Sequence, residues 1–363
     1  MLQIKTTKLQ EMLARAVQGA SNNKLIALTG LLALELKDGV LTITTTDNTN
    51  YLYVKEKVEG DDFYVCISVD KFPKLIARMT CEDVTLDLKD NYLEVVGNGK
   101  YQINFQLDES TGEMVRFPNP VSNIQGEKVG KVDLNTIKYI LTNIRPALAV
   151  KGRPQFMNYF VGNVNDKDVV IATDGNKIST LNTSIFTDGK ARLISAEMMN
   201  LLDTMIDESI EIYAVDNQLV FQSEHGIVYG YTKDGVQQFN AKVVMGFVDK
   251  DYASNCKVSK VELLQVLDRI SLFVDYMDND VIAITFSESG LTITNRKSNG
   301  SETVPYIECN NFKEFSGIVL LERFRTQIKS QTGDSVTIYF GEEKAIKFVD
   351  SNSAFIVALG SDS

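Results

Sequence analysis

The chain has 363 residues, 44% of them hydrophobic and 23% charged, a globular composition that excludes disordered, collagen-like and coiled-coil classes. It carries 37 Lys and Arg against 48 Asp and Glu, a net charge of -11, which argues against a uniform nucleic-acid coat but permits a local basic face. No apolar run approaches the ~20 residues that span a bilayer, and the opening MLQIKTTKLQEML lacks the apolar centre of a signal peptide, so a cytoplasmic protein of two or three domains is expected.

In chain order, the first periodic segment is Thr7–Ala20. Leu9, Met12, Leu13, Ala16 and Val17 share one face there and predict an amphipathic helix. The hairpin pattern LLALELKDGVLTITTTD follows, turning at Lys37-Asp38-Gly39. A second helix is expected over Val69–Met79, then the alternating strands of DVTLDLKDNYLEVVGNGKYQINFQL. Pro118 and Pro120 mark a boundary, after which the same order recurs.

The second pass has a helix over Asp133–Ala149, carrying Ile137, Ile140, Leu141 and Ile144 on one face. The hairpin YFVGNVNDKDVVIATDG turns near Asn165–Lys167; a helix over Ser195–Ile206 and strands from SIEIYAV onward follow. A second boundary falls near FVDKDYASN. The third pass has a helix over Ser259–Val274, the hairpin VIAITFSESGLTITNRK, a helix over Leu320–Gln331 and closing strands that end in SAFIVAL. The pieces GVLTITTTD and SGLTITNRK match although they lie in different thirds.

Three tandem units are therefore expected, at 1–122, 128–248 and 255–363, each with two helices and about eight strands. Helices are too few to cross over between parallel strands. The fold class is α+β, with helices packed on antiparallel sheets.

Catalytic signatures are missing. Cys66, Cys81, Cys256 and Cys309 form no CxxC pair and are expected as reduced thiols, buried like small hydrophobes. His225 is the only histidine, in the alternating stretch FQSEHGIVYGY, and reads as a solvated turn residue. No zinc set exists, and neither a metal nor a cofactor is expected. Gly97–Lys100 lacks the first glycine of a P-loop and has Tyr101 where Ser or Thr would reach magnesium, so it reads as a hairpin turn. Asp275, Asp278 and Asp280 crowd DYMDND, but no register supplies an EF-hand's sixth-place glycine. A binding role leads. The rivals are a carboxylate-metal nuclease using those three aspartates and a structural β-rich virion protein.

Charge is unevenly placed. The six predicted helices together carry +4, leaving -15 elsewhere, and only Ser195–Ile206 is acidic, through Glu197 and Asp203. Helices sharing one surface would let it accept phosphates while the rest of the protein repels them.

The order, spacing and length of these units resemble the sliding clamp of bacterial replication, the beta subunit of DNA polymerase III. ATDGNKIST at Ala172–Thr180 is the most specific piece and is similar to the family's ATDGHRLA; LQIKTTKLQEMLARAV, KDGVLTITTTD and SAFIVALG agree with it. The resemblance implies a homodimeric, head-to-tail ring whose twelve helices line a pore around double-stranded DNA. It implies no catalytic activity. Such a ring tethers the DNA polymerase, is loaded by an ATP-driven clamp loader, and takes partners by short linear peptides; no membrane is involved.

Position by position, the resemblance implies a partner pocket from Met157, Thr173, Gly175, Asn176, Lys177 and Ile178, with Phe247 from the link to the third unit and Ile356, Ala358, Leu359 and Gly360 from the C-terminus. It implies subunit contacts at Tyr101 and Ile103 opposite Leu272 and Phe273. For DNA it points to Lys24, Lys71 and Phe156. The charge on the helices and the loop after the third of them adds Lys74, Arg78, Lys138, Arg145, Lys151, Arg153, Arg323, Arg325 and Lys329. Asn176-Lys177 stands where the family has His-Arg, and Ala358-Leu359-Gly360 where it has Met-Pro-Met. These departures fit a divergent clamp of the kind a bacteriophage or mobile element encodes, with its own peptide preference.

Overall fold

The structure, a computed structural model, describes residues 1–21, 23, 25–123, 126–274, 280–341 and 344–360. All six expected helices form, some of them shorter than the pattern suggested. They are α1 (Thr6–Ala16), α2 (Phe72–Ile76), α3 (Leu134–Tyr139), α4 (Ala196–Leu202), α6 (Lys260–Ser271) and α7 (Leu321–Lys329). A helix not expected from the sequence, α5 (Ala241–Asp249), occupies the second boundary. Pro73 stands in the first turn of α2, where its missing N–H costs nothing. Pro146 has the opposite effect. It cannot donate to the preceding turn, and the expected Asp133–Ala149 helix passes after Tyr139 into a wide turn (Ile140–Ile144) and a tight one (Arg145–Ala147). Ser259 caps α6 by accepting from the Glu262 backbone, with Glu262 at the capping-box position.

The chain packs as two units, Met1–Ile137 with Glu197–Thr232, and Lys138–Ala196 with Lys233–Ser363. All strand pairings among the described residues are antiparallel. In the first unit a four-stranded sheet runs Leu2–Lys5, Asp83–Leu88, Tyr92–Val96, Lys100–Asn104. Beside it lies an eight-stranded sheet in which Tyr51–Lys57 pairs with Gly226–Tyr231, joining strands from the first and second thirds of the chain. In the second unit a nine-stranded sheet pairs Lys177–Asn182 with Ser353–Ala358, joining the second and third thirds. A four-stranded sheet runs Ser301–Val304, Gly290–Asn295, Val281–Ser287, Phe315–Leu320. The repeats are thus read in sequence, whereas the packing groups strands across them. No described helix is long and apolar enough to cross a membrane.

Two sequence expectations are corrected. Cys256 and Cys309 face each other in register across Ser254–Ser259 and Tyr306–Asn310, with Cα atoms 4.1 Å apart, and form a disulfide. Their sequence separation of 53 conceals that adjacency in the sequence. Cys66 remains a free thiol, which burial pushes up to about 12.

His225 stands in a turn, as expected, but its side chain is partly buried and engaged rather than solvated. Its Nδ1 lies 2.7 Å from Asp207 Oδ1, its backbone N–H donates to the same carboxylate, and Arg15 donates to its carbonyl and to that of Thr204. Burial alone would raise the Asp207 carboxyl, but hydrogen bonds from Ser223 and His225 outweigh it and hold the group below the usual carboxylate range. A depressed carboxylate stabilises fully above its unfolded pKa and loses that contribution as pH falls through its folded one. Asp207→Asn should therefore cost about 1 kcal/mol near neutral pH. The difference from wild type should shrink as urea titrations are carried below about pH 4. An unchanged gap at pH 3 would contradict the assignment.

Candidate functional site

The turn between strands Lys167–Thr173 and Lys177–Asn182 is built by its own sequence, Thr-Asp-Gly-Asn-Lys. Asp174 Oδ1 accepts the backbone N–H groups of Asn176 (2.8 Å) and Lys177 (2.9 Å). Thr173 Oγ1 accepts from Gly175 N and donates to the Lys177 carbonyl. Gly175 has φ +89°, a conformation that glycine takes without steric cost. These bonds close the turn, and the Asn176 carbonyl accepts from Ala358 N at the end of the neighbouring strand.

Above this turn lies a cleft of about 300 Å³. Its floor is Ile178 and Ile356, directly opposite each other in register. Phe156 forms one wall, its ring edge-on to Phe239 and against Gly175. Val243, Val244 and Phe247 of α5 form the other. Asn240 caps α5 by accepting from Val243 N, and Val243 and Phe247 remain exposed. Arg153, Gln238, Asn240 and Lys344 supply a polar rim. Beneath the floor lies a core of Phe160, Ile171, Leu193, Phe239 and Met245. An apolar trough with a sparse polar rim suits a short peptide carrying bulky apolar side chains.

Of the residues expected here, Thr173, Gly175, Asn176, Ile178, Phe247, Ile356 and Ala358 line the cleft. Phe247 does so from a helix rather than from a link. Strand alternation turns Lys177 away, and the others lie outside the strands. The Lys177 ammonium donates to the Pro146 carbonyl, and burial, reinforced by the Arg323 charge, lowers its pKa despite Asp174. Leu359 packs over Gly317, and Gly360 bonds to the Ile318 carbonyl. Met157 is exposed beside the cleft but outside its lining. The α5 valines, Phe156 as a wall, and Arg153 and Lys344 as rim were not foreseen. The sequence signals for α5 were its cap, Asn240, and the spacing of Ala241, Val244, Met245 and Val248 on one face.

The basic residues divide by environment. Lys71, Lys74, Arg78, Lys138, Arg145, Lys151, Arg153 and Lys329 are exposed, Lys74 within 3.4 Å of Asp70. Arg323 is half-buried. Arg325 ties α7 to α6, donating to the Leu267 carbonyl and to Glu322 and lying 3.3 Å from Asp268, with its side chain mostly buried. Phe156 is taken up by the cleft wall. Lys24 lies outside the described residues, as do Asp275 and Asp278, while the Asp280 carbonyl accepts from Leu321 N. No cluster of metal-ligating side chains occurs among the described residues. Tyr101 is exposed and Ile103 half-buried on Lys100–Asn104, the last strand of its sheet; Leu272 is 81% exposed just after α6, and Phe273 beside it is also exposed.

No protein-family model and no curated protein matches the chain. Solved structures do. The chain is similar to the DNA polymerase III beta chain of Streptococcus pneumoniae TIGR4, at 13% identity and a TM-score of 0.86 over 99% of this chain and 100% of that one. It is similar to the DNA polymerase sliding clamp of Bacillus subtilis, at 14% identity and TM-score 0.84 over 100% and 99%. The DNA polymerase III beta subunit of Thermotoga maritima gives 14% identity and TM-score 0.82 over 100% and 99%. From end to end, the chain has the fold of the bacterial DNA polymerase III beta subunits, the sliding-clamp fold.

Proposed function

We propose that the chain is a DNA sliding clamp, a non-catalytic processivity factor built from three tandem repeats. It works in the cytoplasm, closes around duplex DNA as a homodimeric ring, and holds the replicative polymerase and clamp-loader subunits through short linear peptides. The observation that carries this reading is the peptide-sized apolar cleft above the Thr173–Lys177 turn, in a chain whose whole length takes the clamp fold. With a net charge of -11, the ring holds DNA by encirclement more than by affinity, and the exposed lysines and arginines on and near the helices steady the phosphates.

Ring closure has a physical basis in both units. Lys100–Asn104 ends its sheet, and an unpaired strand edge is a template for another strand. Tyr101 on that edge, and Leu272 with Phe273 after α6, present apolar surface to solvent, a mark of interfaces. Sedimentation should give a species of twice 40.5 kDa. Changing both Tyr101 and Leu272 to Glu should give monomer with unchanged circular dichroism. A wild type that stays monomeric at micromolar concentration would overturn ring formation.

A further inference from the structure

A second cleft lies in the first unit. One face of its eight-stranded sheet carries Tyr64, Glu35, Thr42 and Lys55 side by side across four strands. The next row on that face is Ala33, Thr44, Tyr53 and Ile227. The segment around Pro118, read from sequence as a boundary, is a strap crossing these rows. The Tyr64 hydroxyl accepts from Phe117 N (2.9 Å) and donates to the Val115 carbonyl (3.3 Å), and the Arg116 guanidinium stacks 4.1 Å over the Tyr64 ring. Between strap and sheet remains about 300 Å³, roofed by Phe117, Pro118 and Val121.

Two groups in this cleft lack the partners that burial demands. Tyr53 is 6% exposed, and its hydroxyl has no hydrogen-bond partner. A buried hydroxyl without a partner is costly, so native structures rarely leave one. Lys55 is half-buried and makes no ion pair among the described residues, although acidic side chains outnumber basic ones in the chain. Burial alone lowers its pKa, with no carboxylate opposing the shift. Tyr53 and Lys55 lie two apart on one strand, so their side chains share the cleft face. Lys55 therefore offers an ammonium to an acceptor entering the cleft, while the Tyr53 hydroxyl is sealed off toward Tyr51 and Tyr229. Glu35 sits two strands from Lys55, about 10 Å away at ordinary strand spacing, and can accept a backbone N–H from whatever lies between. Tyr51 and Tyr229 continue the face as an aromatic ladder, ring centroids 5.9 Å apart. Such surfaces favour peptide contact, because tyrosine supplies large, rigid, amphipathic area.

We propose that this cleft is a second peptide-docking site, one that takes an Asp or Glu side chain on Lys55 and the neighbouring apolar side chain under Phe117 and Val121. The inference stands apart from the clamp reading, since it uses neither DNA nor the cleft of the second unit.

The test is a methyl NMR titration of the full chain with two probes, acetyl-Asp-Leu-amide and acetyl-Asn-Leu-amide. The acidic probe should shift the Ala33, Thr42, Thr44 and Ile227 methyls and bind at least ten-fold more tightly than the amide. Lys55→Gln should erase that preference, Lys55→Arg should keep it, and Phe247→Ala in the other cleft should leave it unchanged. Lys55→Met, which keeps the apolar stem and removes the charge, should erase it as well and serves if Lys55→Gln fails to fold. Equal binding of the two probes, or shifts confined to Ile178, Val243 and Ile356, would overturn the proposal. Acetate acting as strongly as the acidic peptide would overturn the peptide as occupant.

Discussion

Ile178→Asp is expected to lower the affinity of a leucine- and phenylalanine-bearing clamp-binding peptide at least 100-fold in calorimetry, with little change in thermal unfolding. Ile178 is half-buried at the cleft floor, opposite Ile356, so the free protein can hydrate an aspartate there. A bound peptide would strip that water. The loss combines apolar burial worth about 1.5–3 kcal/mol per large side chain with the cost of an unpaired carboxylate in an apolar trough. About 2.7 kcal/mol is already 100-fold. Leu359 and Gly360 fold back on Phe315–Leu320, leaving Ala358 and Lys344 at that end of the cleft. The peptide of the protein's own polymerase should accordingly bind more tightly than a generic bacterial one. Equal affinities of wild type and mutant would place the partner site elsewhere.

Phe324→Ala should destabilise the protein by about 3–5 kcal/mol, the usual range for removing a buried aromatic ring. Phe324 is fully buried on α7, its ring 6.0 Å from Phe348 in the nine-stranded sheet, and no polar contact of α7 can fill the space. Phe247→Ala is the contrasting case. Its side chain is half exposed on α5, so truncation should cost within about 0.5 kcal/mol of stability yet weaken peptide binding. Urea unfolding of both variants beside peptide titrations separates the roles. A Phe324→Ala midpoint close to wild type would show that α7 is not anchored through this ring.

Much of the architecture was legible because its signals are local. The spacing of Leu9, Met12, Leu13 and Ala16 gave α1, and alternation around Asp38-Gly39 gave the first hairpin. Helix α5 has the apolar spacing of a helix but weak propensity, and the spacing went unread. Ala241–Asp249 holds three valines and a central glycine, all poor helix formers, and packing on the core through Ala241 and Met245 outweighs them. Long-range pairings were hidden. Nothing near Tyr51–Lys57 announces Gly226–Tyr231, and nothing near Cys256 announces Cys309. At the cleft, Ile178 and Ile356, both expected in one pocket, lie opposite each other on its floor. Lys177 precedes Ile178 on its strand and faces away, a parity fixed by register, whereas Leu359 lies just past the end of its strand and packs over Gly317. Arg325 read as a surface charge because its acceptors, Leu267 and Asp268, come from another helix.

Retention on closed against cut DNA is the most direct test of encirclement. Loaded by its own clamp loader onto a nicked plasmid circle, the protein should stay bound through gel filtration in high salt and be lost once the plasmid is linearised. High salt abolishes ordinary phosphate affinity, since log K falls roughly 0.9 per contact for each decade of salt. Lys71, Lys74 and Arg78 are all exposed, and if the ring closes on DNA as proposed their joint replacement by Glu should reduce the loaded amount several-fold. Equal retention of the loaded protein on circular and linear DNA would contradict a ring that holds its template by topology.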